Sequence, residues 1–310
     1  MKKRNRYIVS LLIAIALLIF LDVMAYYTTQ RYATLLATAS HENTPPKKIV
    51  ADFQDAPPHV SLLFLESYDP KRIKYIFSPP KPPEPVYTGY CLTVPVLMYH
   101  HVQPQAQAVE KKQTTVSMDS GVFDQHMAYL ASRGYNTITV KQLVDALRTK
   151  TALPPKSIAI TLDDGYRDAY EYAYQSFKRY NITANLMIPT GLLEGADYLT
   201  WGQLIEMKGS GLIYVSDHTW SHYGVGGTNA EKIKYEIMLG KSQLEGRLGQ
   251  PQEIFTYPYG TFGNTAIEIL KQNGFSGAFS TLPGTVQCDS FIMSLHRTRI
   301  GNSPLSAYGL

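Results

Sequence analysis

The sequence predicts an α/β domain whose strand–helix units close into a barrel, and two observations support this prediction. From Cys91 onward, short apolar runs typical of buried strands alternate with segments in which apolar residues recur at helical spacing. About seven or eight such units follow one another. Repeated units of this kind imply a parallel sheet, and a parallel sheet of that size closes most simply as a barrel.

The first half of the barrel contains strands predicted at residues 94–99, 137–138, 157–162 and 184–188. Helices are predicted between them because apolar residues such as Ala169, Ala173 and Phe177 fall on one helical face. Thr139 and Gln142 have the spacing of a capping box, which indicates where one of these helices begins.

The second half continues the alternation, with strands predicted at residues 212–215, 254–257, 278–280 and 295–300. Thr228 and Glu231 form a second predicted capping box, and Thr265 and Glu268 form a third. A helix is therefore expected to begin at each of these boxes.

Residues 1–27 predict a membrane-targeting segment. Four basic residues precede an apolar run that extends to residue 27, and basic residues stay on the cytoplasmic side while the following chain is translocated. The segment could be an uncleaved anchor, since it approaches the roughly 20 residues that span a bilayer. It could instead be a signal peptide cleaved after Ala25. Either outcome places the domain outside the cytoplasm, bound to the cell membrane by a single span or secreted.

Residues 28–90 predict a spacer between this segment and the barrel at residues 91–310. Proline pairs recur along it, and proline-rich chain is extended and semi-rigid. The net charge of +4 equals the charge of the four basic residues at the N-terminus (4 − 4 = 0), so the remainder is nearly neutral. A nucleic-acid partner is therefore not expected, because it would require a basic surface.

Polar residues follow four of the predicted strands. Since the chemistry of such barrels lies at the carboxyl ends of the strands, we expect these residues on one rim. One carboxylate and two imidazoles are a ligand set that suits zinc or a similar divalent ion and leaves positions for water and substrate. A second carboxylate could then act as a base. The residues concerned are His100, Asp163, Asp164, His218, His222 and the run Tyr257, Pro258, Tyr259 and Gly260.

These motifs resemble those of the polysaccharide deacetylases of carbohydrate esterase family four, the NodB homology domain. The matching stretches are residues 161–166, 218–222 and 257–260, which read Thr-Leu-Asp-Asp-Gly-Tyr, His-Thr-Trp-Ser-His and Tyr-Pro-Tyr-Gly. Residues 96–102 also resemble the opening strand of the bacterial branch that acts on poly-N-acetylglucosamine. The resemblance covers residues 91–310 and implies a deformed (β/α) barrel.

The resemblance also implies a role for each residue. Asp164, His218 and His222 would hold one divalent ion, zinc in the first place, with nickel or cobalt as alternatives. Asp163 would be the general base that takes a proton from the attacking water. The backbone N–H of Tyr259 would stabilise the developing oxyanion.

The sequence departs from the family pattern at two points. Many members carry an arginine where this chain has Tyr257, although tyrosine occurs there in the branch that it resembles. The general acid that the leaving amine needs is His100 by resemblance to members with the same opening strand, and His296 is the alternative. Candidate substrate contacts are Tyr257, Pro258 and Trp201, although Trp201 could equally belong to the core.

Cys91 and Cys288 are the two cysteines of the chain and precede the first and last predicted strands. If those strands are neighbours in a closed barrel, the two residues could form a disulfide, which fits an oxidising compartment.

Three functions remain open at this stage. The first is removal of N-acetyl groups from N-acetylglucosamine units of a cell-wall polysaccharide, peptidoglycan or extracellular polysaccharide. The second is non-catalytic glycan binding by a wall protein on the same fold, which would predict a missing ligand or base. The third is deacetylation of another acetylated glycan. All the ligands and the base are present, so an enzyme is favoured, and no protein partner is predicted.

Overall fold

The structure, a computed structural model, describes residues 87–310. The predicted membrane-targeting segment and nearly all of the predicted spacer lie outside the described residues. In the described part of the chain, no helix combines the length and the apolar character needed to cross a membrane. The anchor, the signal peptide and the spacer therefore stay predictions.

Strands and helices alternate through most of this region. The strands are β1 (Cys91–Thr93), β2 (Val96–Tyr99), β3 (His101–Gln103), β4 (Ser117–Asp119), β5 (Asn136–Ile138), β6 (Ser157–Asp163), β7 (Ala184–Ile188), β8 (Ile213–Asp217), β9 (Ile254–Thr256), β10 (Gly277–Phe279), β11 (Val286–Cys288) and β12 (Thr298–Arg299). The α-helices are α1 (Gln105–Glu110), α2 (Ser120–Ser132), α3 (Val140–Thr149), α4 (Tyr174–Tyr180), α5 (Trp201–Gly209), α6 (Ala230–Leu248) and α7 (Asn264–Gln272).

A curled parallel sheet forms the centre of the fold. Its strands follow the order β10-β9-β8-β7-β6-β2-β12, and β5 pairs beside β6. The two ends of this order approach each other, because Leu295, shortly before β12, forms a parallel bridge with Phe279 of β10. This arrangement confirms the predicted α/β class and fits the deformed barrel.

Side chains alternate between two faces along β6, which is buried from end to end. Ile158 and Ile160 pack in an apolar cluster that includes residues of α2 and α4. Ala159 lies in a second cluster on the opposite face. Thr161 and Asp163 share the face of Ala159, so this face of the sheet becomes polar towards the carboxyl end of β6.

The helix starts agree with the prediction in one case and differ in two. α3 begins with the capping box of Thr139 and Gln142, as predicted. α6 begins at Ala230 with Asn229 as its N-cap, so the predicted start at Thr228 is wrong. α7 follows an extended glycine with no side-chain cap, so the third box is wrong as well. Polar residues around both starts offered several N-cap positions, but α6 uses the neighbouring Asn229 and α7 uses no side-chain cap.

Cys91 and Cys288 form a disulfide. They pair in register between β1 and β11, which make a separate antiparallel ribbon. The predicted disulfide is therefore confirmed. The barrel strands that follow the two cysteines, β2 and β12, are neighbours as the sequence suggested, and the disulfide itself joins the ribbon beside them.

Candidate active site

A cavity of 600 Å³ opens at the carboxyl ends of β2, β6, β8 and β9. All four polar groups that the sequence placed at strand ends contribute to it. Its walls include His100, Asp163, Asp164, His218, His222, Tyr257 and Tyr259. The fold thus brings together residues that are up to 159 positions apart in the chain (259 − 100 = 159).

Asp164, His218 and His222 form a compact cluster in this cavity. Their candidate ligand atoms lie within 4.8 Å of one another. Oδ1 of Asp164 is 3.5 Å from Nε2 of His218 and 3.1 Å from Nε2 of His222. This oxygen is buried and accepts no hydrogen bond within residues 87–310. A buried carboxylate oxygen facing two imidazoles fits a divalent cation, which would compensate the charge.

The backbone at two of these residues has an unusual conformation. Asp164 has a φ of 71° and His222 a φ of 59°. Non-glycine residues in the left-handed region are uncommon and cost on the order of 1–3 kcal/mol, and such strain concentrates at functional sites. The left-handed turn at Asp164 separates it from Asp163, which continues the extended strand β6.

Hydrogen bonds outside the cluster orient its imidazoles. Nδ1 of His218 lies 2.7 Å from the carbonyl oxygen of Thr256 at the end of β9. Donation from Nδ1 leaves Nε2 as the free ring nitrogen beside Asp164, which is how metal-binding histidines are usually fixed. Glu236 of α6 is fully buried and accepts hydrogen bonds from the backbone N–H and the hydroxyl of Ser221. It therefore fixes the loop that connects His218 and His222.

Helix α6 approaches this loop so closely that one of its glycines has no room for a side chain. A Cβ atom at Gly240 would lie 2.4 Å from Oδ1 of Asp217 and 3.0 Å from the backbone oxygen of Thr219. We expect Gly240→Ala to destabilise the fold by about 1–3 kcal/mol through overpacking and to weaken metal binding, because the loop must shift. Urea unfolding and zinc titration would measure both effects.

Gly246 on the same helix is the matched control, since a Cβ atom there meets nothing within 4 Å. We expect Gly246→Ala to stabilise the protein by up to about 1 kcal/mol, because alanine favours helix. Equal effects of the two substitutions would contradict the close approach at Gly240.

Asp163 is held by Arg297 in a buried ion pair. Two guanidinium nitrogens donate to the two carboxylate oxygens, each at 2.7 Å, and both residues are almost fully buried. Arg297 also donates to Thr161 Oγ1 and to the carbonyl oxygen of Ser280. Burial raises the pKa of Asp163, but the Arg297 guanidinium outweighs burial and leaves this pKa below its usual value.

Arg297 is the functional candidate that the sequence did not identify. The family pattern directs attention to the position of Tyr257, but that side chain is buried and its hydroxyl donates to the carbonyl oxygen of Met293. The guanidinium reaches Asp163 from another part of the chain, 134 residues away. The available signal was an arginine inside the strand predicted at residues 295–300, because a buried arginine needs a buried carboxylate.

The two candidate acids occupy different surroundings. His100 lines the cavity; burial lowers its pKa, and the Asp163 and Asp164 carboxylates partly oppose this effect. His296 is outside the residues that line the cavity, and its ring stacks on Phe291 with centroids 4.7 Å apart. His100, and not His296, therefore lines the same cavity as Asp163.

Tyr259 occupies a 3-10 turn after β9. Its φ is 58°, its ring lies 4.5 Å from that of His222, and it is 70% exposed. Its backbone N–H makes no hydrogen bond with any other described residue, so it remains available to a ligand. Pro258 precedes it, is buried and fixes the turn.

Trp201 does not reach the cavity, so the structure corrects its assignment as a substrate contact. It is the first residue of α5, which Thr200 caps, and the guanidinium of Arg247 lies 5.1 Å from its ring. Tyr166 and Tyr198 instead provide the aromatic wall of the cavity, with ring centroids 5.4 Å apart. His101 stacks behind Tyr166 and pairs with Asp168, so it supports this wall.

The chain is similar in sequence to known polysaccharide deacetylases. Residues 150–278 match the family model of the polysaccharide deacetylases, a range that includes Asp163, Asp164, His218, His222 and Tyr259. YxkH of Bacillus subtilis, assigned to the polysaccharide deacetylases, is 28% identical over 208 residues, which cover 67% of this chain and 71% of that protein. The poly-beta-1,6-N-acetyl-D-glucosamine N-deacetylase of Escherichia coli K12 is 24% identical over 251 residues, covering 67% of this chain but 36% of that enzyme.

Solved structures show the same likeness. The Streptococcus pyogenes deacetylase PplD, determined in complex with acetate, has a TM-score of 0.64 and 26% identity, and the match covers 68% of this chain and 94% of PplD. IcaB from Ammonifex degensii has a TM-score of 0.59 and 26% identity, covering 67% of this chain and 91% of IcaB.

Proposed function

We propose that this chain removes N-acetyl groups from N-acetylglucosamine units of a cell-wall or extracellular polysaccharide. The chain belongs to the polysaccharide deacetylase family and is a deacetylase hydrolase. The observation that carries the proposal is a buried, arginine-held carboxylate, Asp163, beside the cluster of Asp164, His218 and His222 in one cavity. The likeness to the E. coli poly-N-acetylglucosamine deacetylase supports the choice of N-acetylglucosamine.

Asp164, His218 and His222 would hold one divalent ion, zinc in the first place, with nickel or cobalt as alternatives. When bound, such an ion lowers the pKa of water towards about 7 and polarises the acetyl carbonyl. The buried carboxylate oxygen of Asp164, which lacks a donor within the described residues, and the orientation of His218 by Thr256 support this role.

The other residues have separate tasks in the proposed reaction. Asp163 takes a proton from the attacking water as the carbon–oxygen bond forms, and Arg297 keeps Asp163 ionised and oriented. The backbone N–H of Tyr259 stabilises the oxyanion. His100 gives a proton to the nitrogen as the carbon–nitrogen bond breaks, so that acetate and a free amine leave.

We also propose that residues 91–310 work outside the cytoplasm, at the end of a spacer formed by residues 28–90. The disulfide between Cys91 and Cys288 supports an oxidising compartment. The basic residues and the apolar run within residues 1–27 support attachment to the cell membrane or secretion.

Acetate release tests the proposed function directly. We expect the purified protein to release acetate from poly-N-acetylglucosamine, chitin oligomers or peptidoglycan, with an acetylated xylan as the comparison. A chelator should abolish the release, and added zinc, nickel or cobalt should restore it. Binding of these glycans without acetate release under any metal would contradict the proposal, and release from the xylan alone would assign another substrate.

A further inference from the structure

Arg299 is a charged residue at the rim of the cavity that the proposed reaction does not use. It lies on β12, two residues after Arg297, and lines the active-site cavity. Arg297 is buried against Asp163, whereas Arg299 is exposed. Within residues 87–310, its hydrogen bonding is limited to the carbonyl oxygen of Thr115 at the long distance of 3.4 Å. Its charge therefore has no carboxylate partner in the described part of the protein.

A second cavity of 340 Å³ adjoins the active-site cavity at this arginine. The two cavities share His100, Val116 and Arg299 in their walls. Each volume falls in the range of about 300–1,000 Å³ that is usual for small-molecule sites. A glycan chain that extends from the reacting unit in this direction would pass beside Arg299.

The walls of the second cavity are polar and carry no negative charge among the described residues. Beyond the shared residues they include the polar residues Thr114, Ser117 and Asn302. Oδ1 of Asn302 accepts the backbone N–H of Asp119, and its amide nitrogen donates to no described residue. The active-site cavity, in contrast, contains Asp163 and Asp164. The two cavities therefore share an arginine that has no carboxylate partner, and among the described residues the carboxylates lie in the active-site cavity alone.

We infer that the second cavity is a subsite for an oxyanion carried by the sugar next to the one that is deacetylated. A guanidinium donates paired hydrogen bonds to a carboxylate or a phosphate, and hydroxyl and amide groups complete such a site. The preferred substrate is then an acidic glycan, in which an N-acetylated sugar neighbours one with a carboxylate or phosphodiester. This inference rests on the proposed function and specifies its substrate class.

The test must separate this role from an effect of Arg299 on the chemistry. Arg299 also lies near His100 and contributes to the lowering of its pKa, so a substitution could change turnover on every substrate. The informative quantity is therefore the ratio of kcat/KM on an acidic glycan to kcat/KM on a neutral one. A change in the proposed general acid, His100, alters both values and leaves their ratio unchanged.

The substrates are chitin oligomers, peptidoglycan glycan chains with free lactyl carboxylates, the same chains methyl-esterified, and N-acetylglucosamine oligomers joined by phosphodiesters. We expect the wild type to favour one of the two acidic substrates by about tenfold in kcat/KM, and added salt to reduce this preference. Arg299→Gln should bring the ratio close to one through KM. Arg148→Gln, at an exposed arginine in the last turn of α3, should keep the wild-type ratio.

Binding of the same chains provides a readout that does not depend on turnover. Calorimetry with chelator-treated wild type and with Asp163→Asn should show an acidic chain binding about tenfold more tightly than its neutral counterpart, and Arg299→Gln should remove the difference. Equal binding of acidic and neutral chains would overturn the inference. If the protein releases acetate from neutral chains and shows no preference for acidic ones, the subsite inference is wrong and the proposed function stands. If the protein prefers acidic chains in binding but releases no acetate, the proposed function is wrong and the subsite inference stands.

Discussion

Asp163→Asn is expected to lower kcat/KM by about 10²–10⁴-fold, the usual contribution of a general base. Asparagine keeps the shape of the side chain and can still accept a hydrogen bond from Arg297, but it cannot take a proton from water. Acetate release at saturating and limiting substrate would measure the loss. Zinc affinity is expected to stay close to that of the wild type, because Asp163 is not among the three residues whose ligand atoms converge.

His296→Asn is the matched control for this substitution. His296 stacks on Phe291 outside the walls of the cavity, so we expect this variant to retain most of its activity. Strong activity in Asp163→Asn would contradict the assignment of the base. A large loss of activity in His296→Asn without a loss of stability would favour His296 over His100 as the general acid.

The two adjacent carboxylates owe their different environments to the backbone. Asp163 is the last residue of β6 and continues its interior face, where Arg297 meets it with two hydrogen bonds. Asp164 turns into the left-handed region and points its unpaired oxygen at two imidazoles. Arg297 favours the ionised form of Asp163, and the imidazoles beside Asp164 suit a cation.

The polar residues at the carboxyl ends of strands could be predicted from the sequence, because each follows an apolar run that is typical of a buried strand. His100 and Asp163 follow such runs directly and His218 follows one after two polar residues, and parallel strands bring their carboxyl ends to one rim. Arg297 could not be assigned in the same way, because its partner depends on how distant strands are ordered around the sheet. Arg297 was missed, whereas Trp201 was wrongly assigned to the site. An aromatic residue near a strand end suggested the rim, but Trp201 begins a helix that Thr200 caps.

Local signals also reached their limit at helix starts. Thr139 and Gln142 form the predicted capping box, but Asn229 replaces Thr228 as the cap of α6. Several polar residues in succession can each accept a backbone N–H, and tertiary packing decides among them. The close contact of Gly240 with the Asp217–Thr219 backbone shows how tightly α6 is positioned, and no short-range pattern encodes that constraint.

Arg297→Met is expected to destabilise the fold by about 3–5 kcal/mol, because removal of one partner leaves a buried charge unpaired. The guanidinium also donates to Ser280 and Thr161, so methionine leaves further polar groups without a donor. Urea unfolding at neutral pH would measure the loss in stability. Activity should fall as well, since Asp163 would lose both its orientation and the charge that keeps it ionised.

A double-mutant cycle separates the ion pair from the general effect of losing a large side chain. Asp163→Asn removes the charge, so the double variant Asp163→Asn/Arg297→Met no longer buries an unpaired carboxylate. We expect it to be more stable than Arg297→Met alone, with a coupling energy between the two sites of about 1–3 kcal/mol. Additive effects would show that Arg297 stabilises the barrel through its other hydrogen bonds and its packing. In that case the arginine would not be what holds the base in place, and the activity lost in Arg297→Met would have to come from a shift of β12 itself.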